Sequence, residues 1–320
     1  MAVNRPFKVN PVLTGIAIGY SNPDVSLIGD QAMPRVTVGG EAFKWLEYPV
    51  AQAFTVPDTK VGRKGKVGEV EFGALERDGS VETYGLQDVI PRSDIDAAAA
   101  QRTAGLSTYD PMAYSTAMLT NLIKLDREIR VAAAVQNAAN YEAANVIALA
   151  NAADRFDNAA SDPASVIDQA LNGVLMFRPN TCTMSMSVWQ KLRAHPTLVK
   201  AVKGNLQGAG KITQQEFVDY FELTRLLIGA GYVNTARKGQ NPNMQRVWGK
   251  AISFTYIDNA ARPEGGVTWG FSPVFGSRIA GTILDADVGL EGGEVIRVGE
   301  KITELVVARA AGALIQNAIA

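Results

Sequence analysis

Two residue types on which much protein chemistry depends are almost missing from this sequence. Cys182 is its one cysteine and His195 its one histidine. A lone cysteine cannot form a disulfide within the chain, and a zinc site made of thiolates and imidazoles needs four such ligands. A nucleophilic triad would have to use His195, which lies between a helix-like segment and a proline turn and is interpreted as a surface or capping residue. The composition therefore argues against nucleophilic hydrolases and zinc proteins.

An excess of charge and a long apolar run are also missing. Lys plus Arg number 31 and Asp plus Glu 32, a formal net charge of −1, so no overall field attracts nucleic acid or an acidic membrane. The alanine-rich stretch 132–153 is interrupted by polar residues, and the start MAVNRPFKVN has no apolar signal region. We predict a chain that neither spans a membrane nor carries a standard export signal, made in a reducing cytoplasm. Its 47% hydrophobic content suffices for a packed core.

The motifs that would indicate a bound phosphate or cation fail on inspection. The stretch NLQGAGKIT has Asn205 where a phosphate loop needs glycine and Ile212 where it needs a hydroxyl residue. The acid pairs Asp94/Asp96 and Asp285/Asp287 fit solvated strand ends better than a calcium loop, whose next acidic position is occupied by Gly289. We predict no cofactor and no metal, and retain an α/β enzyme with an unrecognised acidic site as a remote alternative.

The first 80 residues indicate extended structure. Five prolines in residues 1–50 prevent a long helix or a central strand there, which predicts an extended N-terminal arm. The following stretch KVGRKGKVGEVEFGALERDGS mixes bases and acids without interleaved aromatic residues, which does not favour nucleic-acid binding. Alternation over 67–72 and 80–84 around Arg77-Asp78-Gly79 predicts a hairpin. Because an isolated hairpin is marginal in water, it should lean on a partner.

The rest of the chain predicts helices and strands in an α+β arrangement. Asp110-Pro111 is a capped start for a helix to about residue 140, with Met118, Leu122, Leu125 and Ile129 as its packing stripe. Further helices are predicted from Asp162-Pro163, Ser187, Pro196 and the capping box of Thr213 and Glu216. Strands are predicted over 179–187, 223–228, 251–257, 267–271, 294–298 and 302–309.

This order of elements, with the stretches ETYGLQDVIPRSDIDAA, YDPMAYSTAMLTNLIKLDREIRVAAAV and PNTCTMSMSVWQKLRAHPTLVKAVKG, resembles a tailed-phage major capsid protein of the Hong Kong 97 fold. The resemblance covers nearly the whole chain. It implies an N-terminal arm over 1–50, an E-loop over 51–92, a P-domain with its spine helix over 93–174, an A-domain over 175–275, and a P-domain return and C-terminal tail over 276–320.

The resemblance implies a structural protein, not an enzyme, that assembles into hexamers and pentamers of an icosahedral head enclosing double-stranded DNA. It further implies a portal and a possible decoration protein, non-specific contact with the DNA, and a place in the virion after assembly in the host cytoplasm. Because no long charged helical prefix precedes the arm, we expect a separate scaffolding protein. An encapsulin-type nanocompartment is the alternative. The candidate inter-subunit contacts are Lys60, Arg63, Lys64, Lys66, Glu69, Glu71, Glu76, Arg77 and Asp78.

Overall fold

The computed structural model describes residues 8–9, 27–47, 52, 54–71, 73–106, 109–175, 177–204, 210–237, 239–258 and 266–320. Most of the predicted N-terminal arm and residues 205–209 of the rejected phosphate loop lie outside the described residues. None of the described helices is long and apolar enough to cross a membrane.

A seven-stranded sheet forms the larger layer. Its strands are β1 (Lys8–Val9), β2 (Arg35–Thr37), β5 (Glu82–Pro91), β12 (Gly270–Val274), β13 (Ile279–Asp285), β14 (Gly293–Ile302) and β15 (Leu305–Val306). They follow the order β1-β13-β14-β12-β15, with β2 alongside β12 and β5 alongside β14. The longest ladder joins β5 and β14 over ten antiparallel pairs, from Gly293 opposite Pro91 to Ile302 opposite Glu82.

A five-stranded sheet forms a second layer, with strands β6 (Val146–Ala148), β7 (Thr181–Ser185), β8 (Arg225–Gly229), β11 (Ile252–Thr255) and β16 (Gly312–Gln316) in the order β6-β16-β11-β7-β8. Its core packs Trp189, Phe217 and Phe221 between the sheet and the surrounding helices. Two strand pairs are separate from both sheets: β3 (Ala42–Glu47) with β4 (Leu75–Ser80), and β9 (Tyr232–Asn234) with β10 (Met244–Arg246).

The helix starts predicted at Pro111, at Pro163, at Pro196 and after Thr213 are confirmed. The helix predicted from Ser187 begins one residue earlier, at Met186, with Ser185 as its N-cap. Asp110 accepts a hydrogen bond from the Met112 amide at 3.0 Å, with Pro111 at the first helical position. Thr213 and Glu216 form the reciprocal capping box. The helices are α1 (Gly29–Ala32), α2 (Arg92–Thr103), α3 (Pro111–Val135), α4 (Pro163–Gly173), α5 (Met186–Leu192), α6 (Pro196–Lys203) and α7 (Gln214–Tyr220).

Helix α3 is shorter than predicted, because side chains after its end bind its last carbonyls. The helix has 25 residues and ends at Val135, not near residue 140. Asn140 Nδ2 donates to the Ala134 carbonyl at 2.8 Å, and Tyr141 Oη donates to the Val135 carbonyl at 2.6 Å. These bonds satisfy acceptors that another helical turn would use, and the chain continues as a single 3₁₀ turn at Ala138–Asn140.

The predicted packing stripe of α3 is wrong. Met118, Leu122 and Ile129 are exposed and Leu125 is half-buried. The buried face carries Leu119, Ile123 and Val131 together with Ser115, Thr116, Thr120, Arg127 and Glu128. Burial of the two threonines is inexpensive because each hydroxyl donates to its own helix, Thr116 to the Met112 carbonyl and Thr120 to the Thr116 carbonyl. Both faces of α3 therefore contain apolar residues, and spacing alone could not distinguish them.

Two matched substitutions test which face is buried. Leu119 is 7% exposed and packs with Ile90, Ile296 and Val298, whereas Leu122 is 46% exposed. Leu119→Ala is expected to lower the free energy of unfolding by about 2 to 5 kcal/mol, because it leaves a cavity. Leu122→Ala is expected to cost less than about 1 kcal/mol in the isolated subunit. Chemical denaturation measures both, and equal losses would contradict the assignment.

The predicted hairpin is also wrong. Arg77-Asp78-Gly79 lies inside β4, which pairs antiparallel with β3 and places Gly79 opposite Phe43. A Cβ at residue 79 would lie 2.6 Å from Phe43 Cζ. Glycine is therefore needed at this position because the Phe43 ring occupies the space, and not because the chain turns there. No strand occurs over residues 67–71, while Phe72 lies outside the described residues. Ser80 still belongs to β4 and pairs with Ala42, whereas residues 82–84 pair with β14, a distant strand that local alternation could not identify.

Candidate inter-subunit contact region

The predicted contact residues divide between an extended loop and its stem. We call residues 55–71 the extended loop, since they form neither helix nor strand and all are exposed. Six of the candidates, Lys60, Arg63, Lys64, Lys66, Glu69 and Glu71, lie on this loop. The other three, Glu76, Arg77 and Asp78, lie in β4, which with β3 forms the stem.

Charges on the stem have partners within the chain. Arg77 Nε donates to Glu47 Oε2 at 2.8 Å across the ladder. Lys44 contacts Glu76 and also lies 4.0 Å from Asp78. The hydrogen bond with Glu76 raises the pKa of Lys44. The three stem candidates therefore make ion pairs across the β3–β4 ladder while they face solvent.

Charges on the extended loop have weaker internal partners. Lys66 and Glu69 approach to 3.1 Å, with both side chains more than four-fifths exposed. Such exposed pairs contribute little to stability. Arg63, Lys64 and Glu71 form no ion pair with another described residue. These side chains can therefore meet an outside partner without breaking a strong internal contact.

Exposed apolar side chains accompany the loop charges. Val56 and Val67 are 81% and 69% exposed, and Phe54, Val61 and Val70 are also exposed. Several uncovered apolar side chains along one segment indicate a contact surface. The sequence prediction named only charged candidates, although the alternation over 67–72 that suggested a hairpin contains Val67 and Val70.

His195 and Cys182 occupy structural positions. His195 is buried at the N-cap of α6, where Nε2 lies 2.9 Å from the Asn158 carbonyl oxygen and 3.2 Å from Ser161 Oγ. The predicted cap position is correct, but the surface position is wrong because the 155–161 segment covers the ring. Burial raises the pKa of the Cys182 thiol well above its ordinary value, which disfavours a thiolate.

The two acid pairs also make local contacts. Asp96 pairs with Arg92 at 3.1 Å in the first turns of α2. Asp285 Oδ1 accepts a hydrogen bond from the Asp287 amide at 3.0 Å in the turn after β13. Across the part of the chain that the structure describes, no three His, Cys, Asp or Glu side chains are grouped so that they could hold a metal ion.

A buried charge cluster joins α3 to the larger sheet. The fully buried Glu300 carboxylate accepts from Arg35 Nη1 at 2.9 Å and from Arg278 Nη2 at 3.0 Å. Arg127 donates to the Met33 carbonyl and to Ser272 Oγ, both at 3.1 Å. Burial acts to raise the pKa of Glu300, but the three guanidinium groups outweigh it and the pKa is lowered. No sequence signal revealed this cluster, because its members are far apart along the chain.

Glu128 fixes the segment that leads into α1. Its carboxylate accepts from the backbone amides of Ile28 and Gly29 at 2.9 and 2.6 Å, and from Trp248 Nε1 at 2.6 Å. Burial raises the pKa of Glu128. One buried side chain of α3 thus binds both the start of α1 and the loop before β11, which the sequence prediction also missed.

A groove of about 450 Å³ lies on the larger sheet. Gly299 is paired with Gly85 on one side and Ile279 on the other. Val298 packs beneath α3, so strand alternation places Gly299 on the opposite face. The groove is lined by Thr83, Tyr84, Gly85, Phe275, Gly276, Ser277, Ile279, Arg297, Val298, Gly299, Glu300 and Lys301.

Two curated relatives are similar to this chain, although no protein-family model matches it. The major capsid protein of Pseudomonas phage JBD67 is 40% identical over 317 residues, 99% of each chain. The major capsid protein of Burkholderia phage BcepMu is 28% identical over 257 residues, which cover 78% of this chain and 76% of the relative.

Solved structures show the same fold at lower identity. A phage-related protein from Bordetella bronchiseptica RB50 superposes with a TM-score of 0.72 at 21% identity, over 98% of this chain and 99% of that one. The capsid of cyanophage P-SCSP1u gives 0.57 at 11% identity, over 92% and 89%. An encapsulin complex from Synechococcus elongatus PCC 7942 gives 0.50 at 10% identity, over 94% and 90%. At these identities the likeness concerns the fold alone.

Proposed function

The chain belongs to the family of phage major capsid proteins, and we propose that its copies form the hexamers and pentamers of an icosahedral head enclosing double-stranded DNA. Its role is structural, and the predicted α+β fold of the Hong Kong 97 type is confirmed. The encapsulin alternative has support from the fold only, whereas the relative at 40% identity is a phage protein.

The proposal assigns the larger sheet and α3 to a P-domain, the smaller sheet to an A-domain, and the extended loop with its stem to an E-loop. Separate apolar clusters under the two sheets support this division. The C-terminal strand β16 belongs to the smaller sheet, where it pairs with β11 and β6. A separate scaffolding protein, a portal and a decoration protein remain the partners we propose, with assembly in the host cytoplasm.

The proposed contact between subunits is inferred from the exposure of the extended loop. The loop projects apolar and charged side chains that its own subunit leaves uncovered, and its glycines impose a large entropy cost on ordering it alone. A neighbouring subunit that covers the valines and pairs the charges would offset that cost. We therefore expect the loop to matter more for assembly than for folding of the subunit.

Charge reversal on the loop tests this expectation. A variant that carries Lys60→Glu, Arg63→Glu, Lys64→Glu and Lys66→Glu should fold normally, because exposed charges contribute little to stability. It should form few closed shells, because the reversed loop repels the acidic groups that we expect on the neighbour. Sedimentation measures the shell yield and circular dichroism the melting of the subunit.

The matched control keeps the charge and changes only the side chains, as Lys60→Arg, Lys64→Arg and Lys66→Arg. This control should assemble as the parent does. Normal shells from the reversed loop would show that its charges do not guide assembly. A loss of folding in the reversed variant would show that the loop belongs to the core.

Contact with DNA is expected to be weak. The chain carries 31 basic and 32 acidic residues, and a surface that bound many phosphates would hold DNA in a strongly salt-dependent way. Fluorescence anisotropy of the unassembled subunit with duplex DNA should give a Kd no tighter than about 10 μM at physiological salt. Nanomolar binding that weakens steeply with added salt would contradict this prediction.

A further inference from the structure

The formal net charge of −1 conceals a basic part of the chain. Residues 175–275, the predicted A-domain, carry 12 Lys and Arg against 5 Asp and Glu, whereas the rest of the chain carries 19 against 27. Surface charges act over only about 8 Å at physiological salt, so the two parts present separate fields that do not cancel. The basic part is therefore a candidate surface for a polyanion.

The cations beside α7 have acidic neighbours. Lys203 lies 3.6 Å from Glu216, and Arg178 lies 3.1 Å from Glu222. Helix α7 packs against α6 and also carries Asp219. Because these carboxylates offset the nearby positive charge, this side of the basic part is a poor surface for a polyanion.

The cations of the β9–β10 pair lack such neighbours. We call residues 229–250 the basic hairpin, since they contain four Lys and Arg and no Asp or Glu. Arg237 and Lys250 are exposed and Arg246 is half-buried, and none of the three forms an ion pair with another residue that the structure describes. The fourth cation, Lys238, lies outside the described residues.

Hydrogen bonds at both ends hold the basic hairpin in shape. Asn234 Oδ1 accepts from the Ala236 and Asn243 amides at 3.0 and 2.9 Å, where the ladder ends. At the base, the Gly249 amide donates to Gln136 Oε1 at 2.9 Å and joins the hairpin to the end of α3. The cations therefore stand on a preformed two-stranded ribbon, which lowers the entropy cost of binding.

The side chains of this ribbon are of the types that bind a sugar–phosphate backbone. Phosphate oxygens accept hydrogen bonds from Arg and Lys and also from Asn, Gln and Tyr. Arg246 lies over the exposed Tyr232 ring, 4.8 Å from its centroid, so a cation and an aromatic face lie together. Exposed amide side chains at Gln240, Asn241 and Asn243 continue this surface around the tip.

We propose that the basic hairpin contacts the phosphate backbone of duplex DNA without reading its sequence. A two-stranded ribbon has the width of the major groove. A protein partner fits less well, because Tyr232 and Met244 are the large apolar side chains exposed on the described hairpin, and protein interfaces have an apolar centre. This inference rests on the proposed capsid function and adds to it the residues that meet the enclosed DNA.

The contact is expected to depend strongly on salt. Each phosphate that a cation neutralises releases a counterion and adds about −0.9 to the slope of log K against log salt. Four cations then give a slope of about −3 to −4, with binding no tighter than about 10 μM at physiological salt and measurable binding at low salt.

Neutralisation of the basic hairpin tests the proposal. The triple variant Arg237→Gln, Arg246→Gln and Lys250→Gln is compared with the parent by fluorescence anisotropy of labelled duplex DNA and unassembled subunit, from about 20 to about 150 mM salt. We expect the affinity at the lowest salt to fall at least about 10-fold and the slope to become shallower by about 3. A slope equal to that of the parent would overturn the proposal.

A double variant guards against a loss of folding, because Arg246 is half-buried. Arg237→Gln with Lys250→Gln changes only exposed side chains and should keep the melting temperature of the parent. Its slope should be shallower than that of the parent by about 2. An unchanged slope in this folded variant would contradict the assignment.

A matched control removes the same charge outside the basic hairpin. Lys191→Gln, Lys200→Gln and Lys211→Gln neutralise three exposed cations of the same basic part, and the slope should stay that of the parent. Equal losses from the two triple variants would overturn the proposal, because DNA would then respond to the charge of the whole part and not to the hairpin.

Shell yield, measured by sedimentation, separates this inference from the proposed function. If the hairpin variants keep the DNA affinity of the parent but form no closed shells, the hairpin contacts another copy and the DNA proposal is overturned. If the parent and the hairpin variants form shells and share one slope, the DNA proposal fails and the capsid function stands. If DNA binding depends on the hairpin but the parent forms no shell, the proposed assembly fails and the DNA contact stands.

Discussion

Replacement of Glu300 by Gln is expected to lower the free energy of unfolding by about 3 to 5 kcal/mol at pH 7. The carboxylate is fully buried and accepts from Arg35 at 2.9 Å and Arg278 at 3.0 Å, with Arg127 nearby. Glutamine keeps the shape of the side chain but removes the charge that compensates these guanidinium groups. Removal of one partner of a buried pair is costly because the remaining charge stays in a poorly solvating environment.

The dependence of this loss on pH has a definite sign. The pKa of Glu300 is lowered in the folded chain from an ordinary value of 4.5, so the unfolded chain binds its proton more readily. The stabilisation is therefore complete above the ordinary pKa and disappears as pH falls through the lowered one. The difference in melting temperature between the parent and Glu300→Gln should be constant above about pH 5 and shrink as the pH falls below it.

A surface pair supplies the control for the charge. Arg178 and Glu222 approach to 3.1 Å with side chains 52% and 73% exposed. Glu222→Gln removes the same charge by the same substitution, and it should change the unfolding free energy by less than about 1 kcal/mol. Chemical denaturation of the isolated subunit across pH measures all three proteins. Equal losses at Glu300 and Glu222 would show that the buried cluster does not stabilise the fold.

Leu314→Glu is expected to prevent stable folding of the smaller sheet. Leu314 is fully buried in β16, which lies between β6 and β11. A carboxylate there loses its hydration without gaining a partner, which costs several kcal/mol, comparable to the whole stability of a domain. The expected result is that the cooperative thermal transition disappears and that the protein is recovered in the insoluble fraction.

The control for Leu314→Glu lies two residues further along the same strand. Gln316→Glu adds the same charge at a partly exposed position of β16. It should fold with a melting temperature within a few degrees of the parent, because water still solvates the carboxylate. If Leu314→Glu gave an equally small shift of the melting temperature, the placement of β16 between β6 and β11 would be contradicted.

Features that depend on neighbours in the chain could be predicted from the sequence. Asp110 with Pro111 starts α3, and Thr213 with Glu216 starts α7, because the groups that satisfy the first free amides lie within three residues of them. The charged candidates of the extended loop were likewise placed correctly on an exposed segment, since mixed charge and glycine disfavour burial. Their contact with another subunit stays a prediction.

Features that depend on distant partners required the tertiary structure. The sequence shows two apolar faces on α3, and the sheet selected the one with Leu119 because Arg127 and Glu128 on that side find buried partners. Gly79 looked like a turn residue until the pairing of β3 and β4 placed the Phe43 ring against it. Nothing in the sequence indicated that Glu300 would contact Arg35 and Arg278. By itself the sequence determined where the capped helices begin and that the charges of the extended loop stay exposed, since caps and solvation are local. Only the fold decided which faces, charges and glycines meet, because those energies arise between residues far apart in the chain.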